Sequence, residues 1–256
     1  SSDVCSSDLN KVAVVSGASR GIGKAIAMGL ARAGAHVIVS SRKLPGVTAV
    51  AEEIRAEGGT AEAMRCHAGE LNEVTDMIDA VDKKFGRLEI LVNCAATNPH
   101  YGPAAELSPE AFDKTVEVNL KGPYFLMSRA VELMARGGGG SIVNVASIVA
   151  NNPMTGQAVY AMTKVGLTSL TKSFAKEYGR AGIRVNAILP GLVETHFASA
   201  LISDPRVAAW LKTLPVPRAA EPDEMVGGVL YLLSDAASYT TGTTLLMDGG
   251  ASLGPL

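Results

Sequence analysis

Lys11–Ser16 (KVAVVS) is a short apolar, β-branched run that breaks directly into Gly17-Ala18-Ser19-Arg20-Gly21-Ile22-Gly23. Lys24–Arg32, rich in alanine, follows with helical periodicity. Strand, glycine turn and helix in that order leave a chain few folds to choose from. Glycines let the backbone turn tightly and approach a pyrophosphate, and the helix start presents free N–H groups and a partial positive charge to it.

The rest of the chain alternates in the same way. Strands are expected at 11–16, 35–40, 60–66, 88–92, 141–146, 183–189 and 243–247. Helices are expected at 21–33, 46–57, 70–85, 155–179, 203–212 and 221–234. A helical region over 108–135 should bend at Pro123, because proline disrupts a helix. Short apolar strands separated by helices predict a single α/β domain: a doubly wound parallel sheet of about seven strands, covered on both faces. Ligands in such sheets bind beyond the carboxyl ends of the strands, and Gly17–Gly23, Asn93, Ser147 and Pro190 all fall at such ends. Gly137–Gly140 reads as a flexible connection. Residues 1–9 (SSDVCSSDL) carry no periodicity and read as a disordered or foreign extension, leaving 10–256 as the domain.

Composition excludes several classes. The 256 residues carry a formal charge of −2, which offers no basic footprint for nucleic acid. No apolar run reaches membrane-spanning length. Cys5, Cys66 and Cys94 are isolated, which argues against a disulfide or a metal site and for buried or bystander thiols in a reducing compartment. With no signal-like start, the expected location is cytoplasmic.

Tyr160 and Lys164, in YAMTK, lie four residues apart, and Ser147 ends an apolar run upstream. Residues i and i+4 share a helix face. A cation about 4 Å away is worth on the order of 4 kcal/mol at an effective dielectric near 20, enough to bring a phenol from about 10 down toward 7. Such a phenol can give and take protons. One competing pattern is present. Gly17-Ala18-Ser19-Arg20-Gly21 also spells G-x-S-x-G, the nucleophile elbow of serine hydrolases, with His196 the one histidine placed late enough to serve as base.

Taken together, the motifs resemble the short-chain dehydrogenase/reductases over about residues 10–250. The glycine turn is similar to that family's TGxxxGxG, with Ser16 for threonine. Asn93-Cys94-Ala95-Ala96 resembles its NNAG, with two departures. Asn119 matches its helix-borne asparagine, and Ser147, Tyr160 and Lys164 its catalytic trio. Pro190-Gly191 with Thr195 matches PGxxxT, and Asp248-Gly249-Gly250 matches DGG.

The resemblance implies hydride transfer between a nicotinamide cofactor and a carbonyl or carbinol carbon. Tyr160 would move the proton, Ser147 would hold the substrate oxygen, Lys164 would keep the phenol acidic and bind the ribose, and Asn119 would hold a water. Gly17, Ser19, Arg20, Gly21, Ile22 and Gly23 would line the phosphates. Asn93 would brace the central strand, with Ala95 in the adjoining loop near the cofactor. Thr195 and the Val193 backbone, beyond Pro190 and Gly191, would meet the carboxamide. The second strand ends in Ser40-Ser41-Arg42-Lys43 with no carboxylate, which favours NADP(H) over NAD(H): arginine accommodates a 2′-phosphate that an acid would repel. After the third strand, His67 stands where the family has an aspartate near the adenine. The base could be held by backbone groups of His67 and Ala68 or by stacking on the imidazole; a surface histidine without a role is the other reading.

Loops 95–107, 148–159 and 192–214 should line a substrate pocket with Tyr101, Val149, Met154, Leu192, Phe197, Leu201, Ile202 and Trp210. Such a lining suits a small to medium apolar ketone or secondary alcohol. An acyl-carrier-protein substrate ranks second, and a binding-only NADP sensor remains a separate class. The loop 190–214 could close as a lid. The resemblance also implies a homo-oligomer, a tetramer or dimer built on the two long central helices and the last strand.

Overall fold

The computed structural model describes residues 10–253, so the expectation for residues 1–9 lies outside the described residues. Seven parallel strands form one sheet in the order β3-β2-β1-β4-β5-β6-β7. They are β1 (Val12–Ser16), β2 (His36–Ser41), β3 (Thr60–Arg65), β4 (Ile90–Asn93), β5 (Gly140–Val145), β6 (Ile183–Pro190) and β7 (Thr244–Met247). The helices are α1 (Gly21–Arg32), α2 (Leu44–Ala56), α3 (Leu71–Phe85), α4 (Pro109–Val116), α5 (Gly122–Arg136), α6 (Ala158–Tyr178), α7 (Ser199–Ile202), α8 (Pro205–Leu211) and α9 (Val226–Leu233). The expected α/β sheet is present, with strand ends displaced by a residue or two.

Alternation along β1 builds both layers. Ala13 and Val15 face a core shared with Ile26 of α1, Val47 of α2 and Val229 of α9. Val12 and Val14 face the opposite core, with Val74 of α3, Leu126 of α5 and Phe174 of α6. The strand order reverses between β1 and β4, where Ser16 pairs with Asn93. A doubly wound sheet opens its ligand crevice at that reversal.

Two details depart from the sequence reading. The helical region does not simply bend at Pro123. It breaks into α4, a π-turn over Glu117–Lys121, and α5. Proline has no N–H for the carbonyl four residues back and its ring crowds that carbonyl, which here belongs to Asn119. The ladder widens instead, and Gly122 N–H reaches back to Glu117 O. The second departure is Gly137–Gly140. Gly139 has φ +128°, and a Cβ on it would sit 2.6 Å from Gly182 O. The segment is therefore a tight packed turn, not the loose connection expected.

A buried polar relay ties the layers to the sheet. Asn93 Nδ2 donates to Asn144 Oδ1 at 2.8 Å, and Asn144 Nδ2 donates to Thr171 Oγ1 on α6 at 2.9 Å. Asn144→Leu should strand the Asn93 amide and cost about 1–3 kcal/mol in urea unfolding. Ser40 Oγ is buried without a partner among the described residues, so Ser40→Ala should cost nothing or stabilise. Equal losses from both variants would contradict this account.

Candidate active site

The glycine turn is packed, not merely permitted. Gly17 has φ +69°, and a Cβ there would sit 2.6 Å from Ala95 Cα and N. The β1 and β4 loops therefore meet backbone to backbone. Ser16 Oγ holds them in register by accepting from Cys94 N–H at 3.1 Å and Ala95 N–H at 3.3 Å. Gly23 lets α1 close onto Gly17 O, where a Cβ would approach to 2.4 Å. Gly21, at φ +55°, faces Thr195 Cγ2 across the crevice, so Thr195 lies against the turn as the motif order implies. Pro190 and Gly191 end β6, with Gly191 N–H bonded to Met247 O beside the Asp248-Gly249-Gly250 turn. Val193 forms a parallel bridge with Ala220. Ala220 N–H donates to Leu192 O and its carbonyl accepts from Glu194 N–H. In that pattern the N–H and C=O of Val193 itself point the other way.

Tyr160, Lys164 and Ser147 converge at the ends of β5 and α6. Tyr160 is 9% exposed and Lys164 2%. Lys164 Nζ lies 5.5 Å from the Tyr160 ring centroid and donates to Val145 O at 2.8 Å. Ser147 hydrogen bonds the phenol and accepts from Val149 N–H at 3.4 Å. The spacing argument for an acidic phenol fails, however. Burial pushes Tyr160 well above its ordinary value, and the Ser147 bond offsets this only in part. The ammonium stands over the ring, and desolvation of a phenolate outweighs it. Burial also brings Lys164 down to about 8.

Cys94 belongs to this cluster, where the sequence reading expected no more than a buried or bystander thiol. Burial pushes its thiol up to about 11, so it is neutral at physiological pH, and only as a thiolate would its charge raise Tyr160 and Lys164. The sequence signal was its place in Asn93-Cys94-Ala95-Ala96. Asn119 is fully buried with a committed amide: Oδ1 accepts from Thr97 N–H at 2.8 Å, and Nδ2 donates to Thr97 O at 2.8 Å and Thr163 Oγ1 at 3.3 Å. Asn93 is 2% exposed and braces β4 against β5.

Three cations rim the nucleoside side. Arg20, Arg42 and Lys43 are exposed, and among the described residues their side chains have no hydrogen-bond or ion-pair partner. Ser41 Oγ donates to Lys43 O at 3.3 Å. His67 spends its backbone locally: its N–H donates to Glu73 Oε2 at 2.7 Å and its carbonyl accepts from Glu70 N–H. What remains to offer is the ring, whose Nε2 lies 3.1 Å from Lys114 Nζ. Ala68 O packs against Gly122, where a Cβ would come within 2.1 Å. Lys114 carried no sequence signal, since nothing in α4 points to β3.

The expected substrate residues divide. Phe197 stacks at a tilt on Tyr160 with centroids 5.9 Å apart, and Val149 packs on the same ring. Tyr101 lies over Gly156, 3.6 Å from where a Cβ would stand. Leu192 turns instead to a separate cavity of about 500 Å³, shared with Leu211, Leu214, Met225 and Leu246. The segment 195–219, with α7 and α8, leaves and returns at the Val193–Ala220 bridge. Ser19 packs under Gly46. Among the described residues its hydroxyl has no histidine partner, and the serine-hydrolase alternative is not supported.

Glycine crevice, paired tyrosine and lysine, and strand reversal together define an α/β dinucleotide-binding oxidoreductase. Residues 17–252 match the family described as Enoyl-(Acyl carrier protein) reductase. The chain is 39% identical over 242 residues to Dehydrogenase/reductase SDR family member 4 of Homo sapiens, covering 94% of this chain and 87% of that protein. It is 39% identical over 248 residues to L-rhamnose 1-dehydrogenase (NAD(P)(+)) of Azotobacter vinelandii, covering 94% and 96%. A crystal structure of a gluconate 5-dehydrogenase from Burkholderia cenocepacia, in complex with NADP and tartrate, superposes with a TM-score of 0.93 at 30% identity over 97% of this chain and 98% of that one. The chain belongs to the short-chain dehydrogenase/reductase family.

A lysine near 8 has a kinetic consequence. If Tyr160 is the proton donor, reduction of a carbonyl needs it protonated and Lys164 charged. The phenol keeps its proton well beyond neutrality, so Lys164 sets the limit. The free-enzyme kcat/KM for reduction should be level below about pH 8 and fall above it. Lys164→Met should lower the rate by about 10²–10⁴-fold and remove the break. A wild-type profile level through pH 10 would contradict the assignment.

Proposed function

We propose that this protein reduces a carbonyl, and oxidises the corresponding secondary alcohol, with NADP(H). The observation that carries the reading is the buried Tyr160–Lys164 pair, with Ser147 bonded to the phenol, at the carboxyl edge of the sheet. The residues fit the coenzyme. A Cβ at Gly17 or Gly23 would close the cradle, Val193 turns backbone groups away from its bridge, and Arg42 at the end of β2 has no side-chain partner among the described residues.

When bound, the nicotinamide supplies the hydride in reduction and accepts it in oxidation. Tyr160 Oη gives its proton to the substrate oxygen as negative charge develops there. Ser147 Oγ accepts from Val149 N–H, and its own proton, directed at the phenol in the free site, turns to donate to the same substrate oxygen. Lys164 spends one proton on Val145 O and keeps two for ribose hydroxyls and the proton path. Asn119 positions the site, and with its amide committed, only its main-chain carbonyl is left to hold a relay water. Phe197 and Val149 give an apolar wall against Tyr160, which supports a small to medium apolar ketone.

The relatives support the alcohol and carbonyl class, and the NADP in the Burkholderia structure supports the coenzyme. Assembly through α5, α6 and the edge strand β7 accords with exposed Tyr124, Met162, Val165 and Leu246.

NADPH oxidation at 340 nm with a ketone panel should identify a substrate. Tyr160→Phe should lose at least about 10²-fold in turnover while binding NADP⁺ with nearly unchanged affinity. Appreciable residual turnover would contradict the mechanism. In the same assay NADPH should exceed NADH in kcat/KM, and Arg42→Asp should reverse the order, because a carboxylate repels the 2′-phosphate. Equal values for the two cofactors in the wild type would refute the coenzyme assignment.

A further inference from the structure

His67 and Lys114 set donor against donor at the nucleoside end of the crevice. Gly69 N–H donates to His67 Nδ1 at 3.1 Å, so in the neutral ring the proton sits on Nε2. That nitrogen faces Lys114 Nζ at 3.1 Å, and an ammonium has only protons to offer. The other tautomer moves the conflict to Gly69, and a doubly protonated ring creates it at both contacts. The ion pairs among the described residues do not include Lys114. Glu73 is engaged by His67 N–H and by Arg65, and among the described residues no hydrogen bond or ion pair joins the carboxylate of the nearer Glu70, or of Glu117 beside Gly69, to the His67 ring or to Lys114 Nζ. The cluster is one acceptor short.

Its position says what could supply that acceptor. The pyrophosphate belongs over the glycine turn and the ribose beyond the end of β2. Cys66 N–H donates to Ser41 O at 3.0 Å, which sets residue 67 one step past the ribose. The purine base falls there. This rests on the coenzyme reading above.

We propose that His67 Nε2 and Lys114 Nζ read the base through an acceptor, and that the site accepts a 6-oxopurine (hypoxanthine) cofactor at least as well as the adenine form. An oxygen at position 6 has two lone pairs and takes a proton from each donor. The adenine amine at that position brings further protons to a place already crowded with them. His67 and Lys114 are therefore specificity-determining residues for the nucleobase, a property separate from the catalytic trio.

Isothermal titration of the wild-type protein with NADP⁺, deamino-NADP⁺, NAD⁺ and deamino-NAD⁺ tests this without turnover. Each deamino form should bind as tightly as its adenine partner or about 2- to 10-fold tighter, the range of one net hydrogen bond. Lys114→Met should shift that ratio toward adenine by a similar factor, and His67→Asp should shift it further, since a carboxylate accepts from the amine. Deamino forms bound about 3-fold or more weaker by the wild type would overturn the proposal. So would a ratio unchanged in Lys114→Met, or a Lys114 effect confined to the 2′-phosphorylated pair, which would place that ammonium on the phosphate. Failure of all four nucleotides to bind would sink the coenzyme reading itself, a result distinct from these.

Discussion

The bond from Lys164 Nζ to Val145 O is the contact on which the site depends. An ammonium that is 2% exposed costs on the order of several kcal/mol in lost hydration. One carbonyl at the end of β5 offsets only part of that, and burial holds the lysine near 8 instead of 10.5. A fold under no functional demand would exchange such a residue for leucine. The cost places a cation beneath the crevice floor, where water cannot screen it. The same burial explains why the phenol is a strong keeper of its proton and not the acid that spacing suggested. For the proposed reduction that would be an advantage, because the phenol is fully protonated at neutral pH.

Much of this was legible in the chain. The two faces of the sheet follow from alternation in β1, where Ala13 and Val15 serve one core and Val12 and Val14 the other. The glycine turn announced itself because φ +69° and a 2.6 Å approach to Ala95 leave room only for glycine. What spacing could not supply was depth. Tyr160 and Lys164 read as an i, i+4 pair, but whether desolvation or attraction governs their charge depends on how many atoms cover them. Lys114 was invisible for a related reason. Its partner His67 is 47 residues away, and only the packing of the Gly122 region on Ala68 brings α4 to the end of β3.

Pro123 shows how one residue acts at a distance. It denies Asn119 the usual acceptor role in the helix ladder, and the resulting π-turn reorients the segment. The Asn119 amide then clamps both backbone groups of Thr97 in the loop after β4. That loop starts at Cys94, beside Tyr160 and Lys164. Helix irregularity, loop fixation and the polar environment of the catalytic pair are thus one mechanical unit. The sequence reading placed the disturbance at the proline. The structure places it one turn earlier because the missing bond, not the ring itself, is what the helix must accommodate.

The two ends of the crevice are built on opposite electrostatic principles. At the Tyr160 end charge is scarce and buried: one lysine, a neutral thiol at Cys94, a protonated phenol, and the Phe197 ring tilted against Tyr160. At the β2–β3 end it is plentiful: Arg20, Arg42 and Lys43 are exposed and, among the described residues, without a side-chain partner, and the half-buried Lys114 faces an imidazole. Exposed cations are screened over about 8–10 Å at physiological salt. They can therefore recognise a phosphate held against them without disturbing the lysine at the other end. On the proposed function, binding strength and proton transfer would be set by separate groups of residues, so preference for phosphate or base could change while the surroundings of Tyr160 stay as they are.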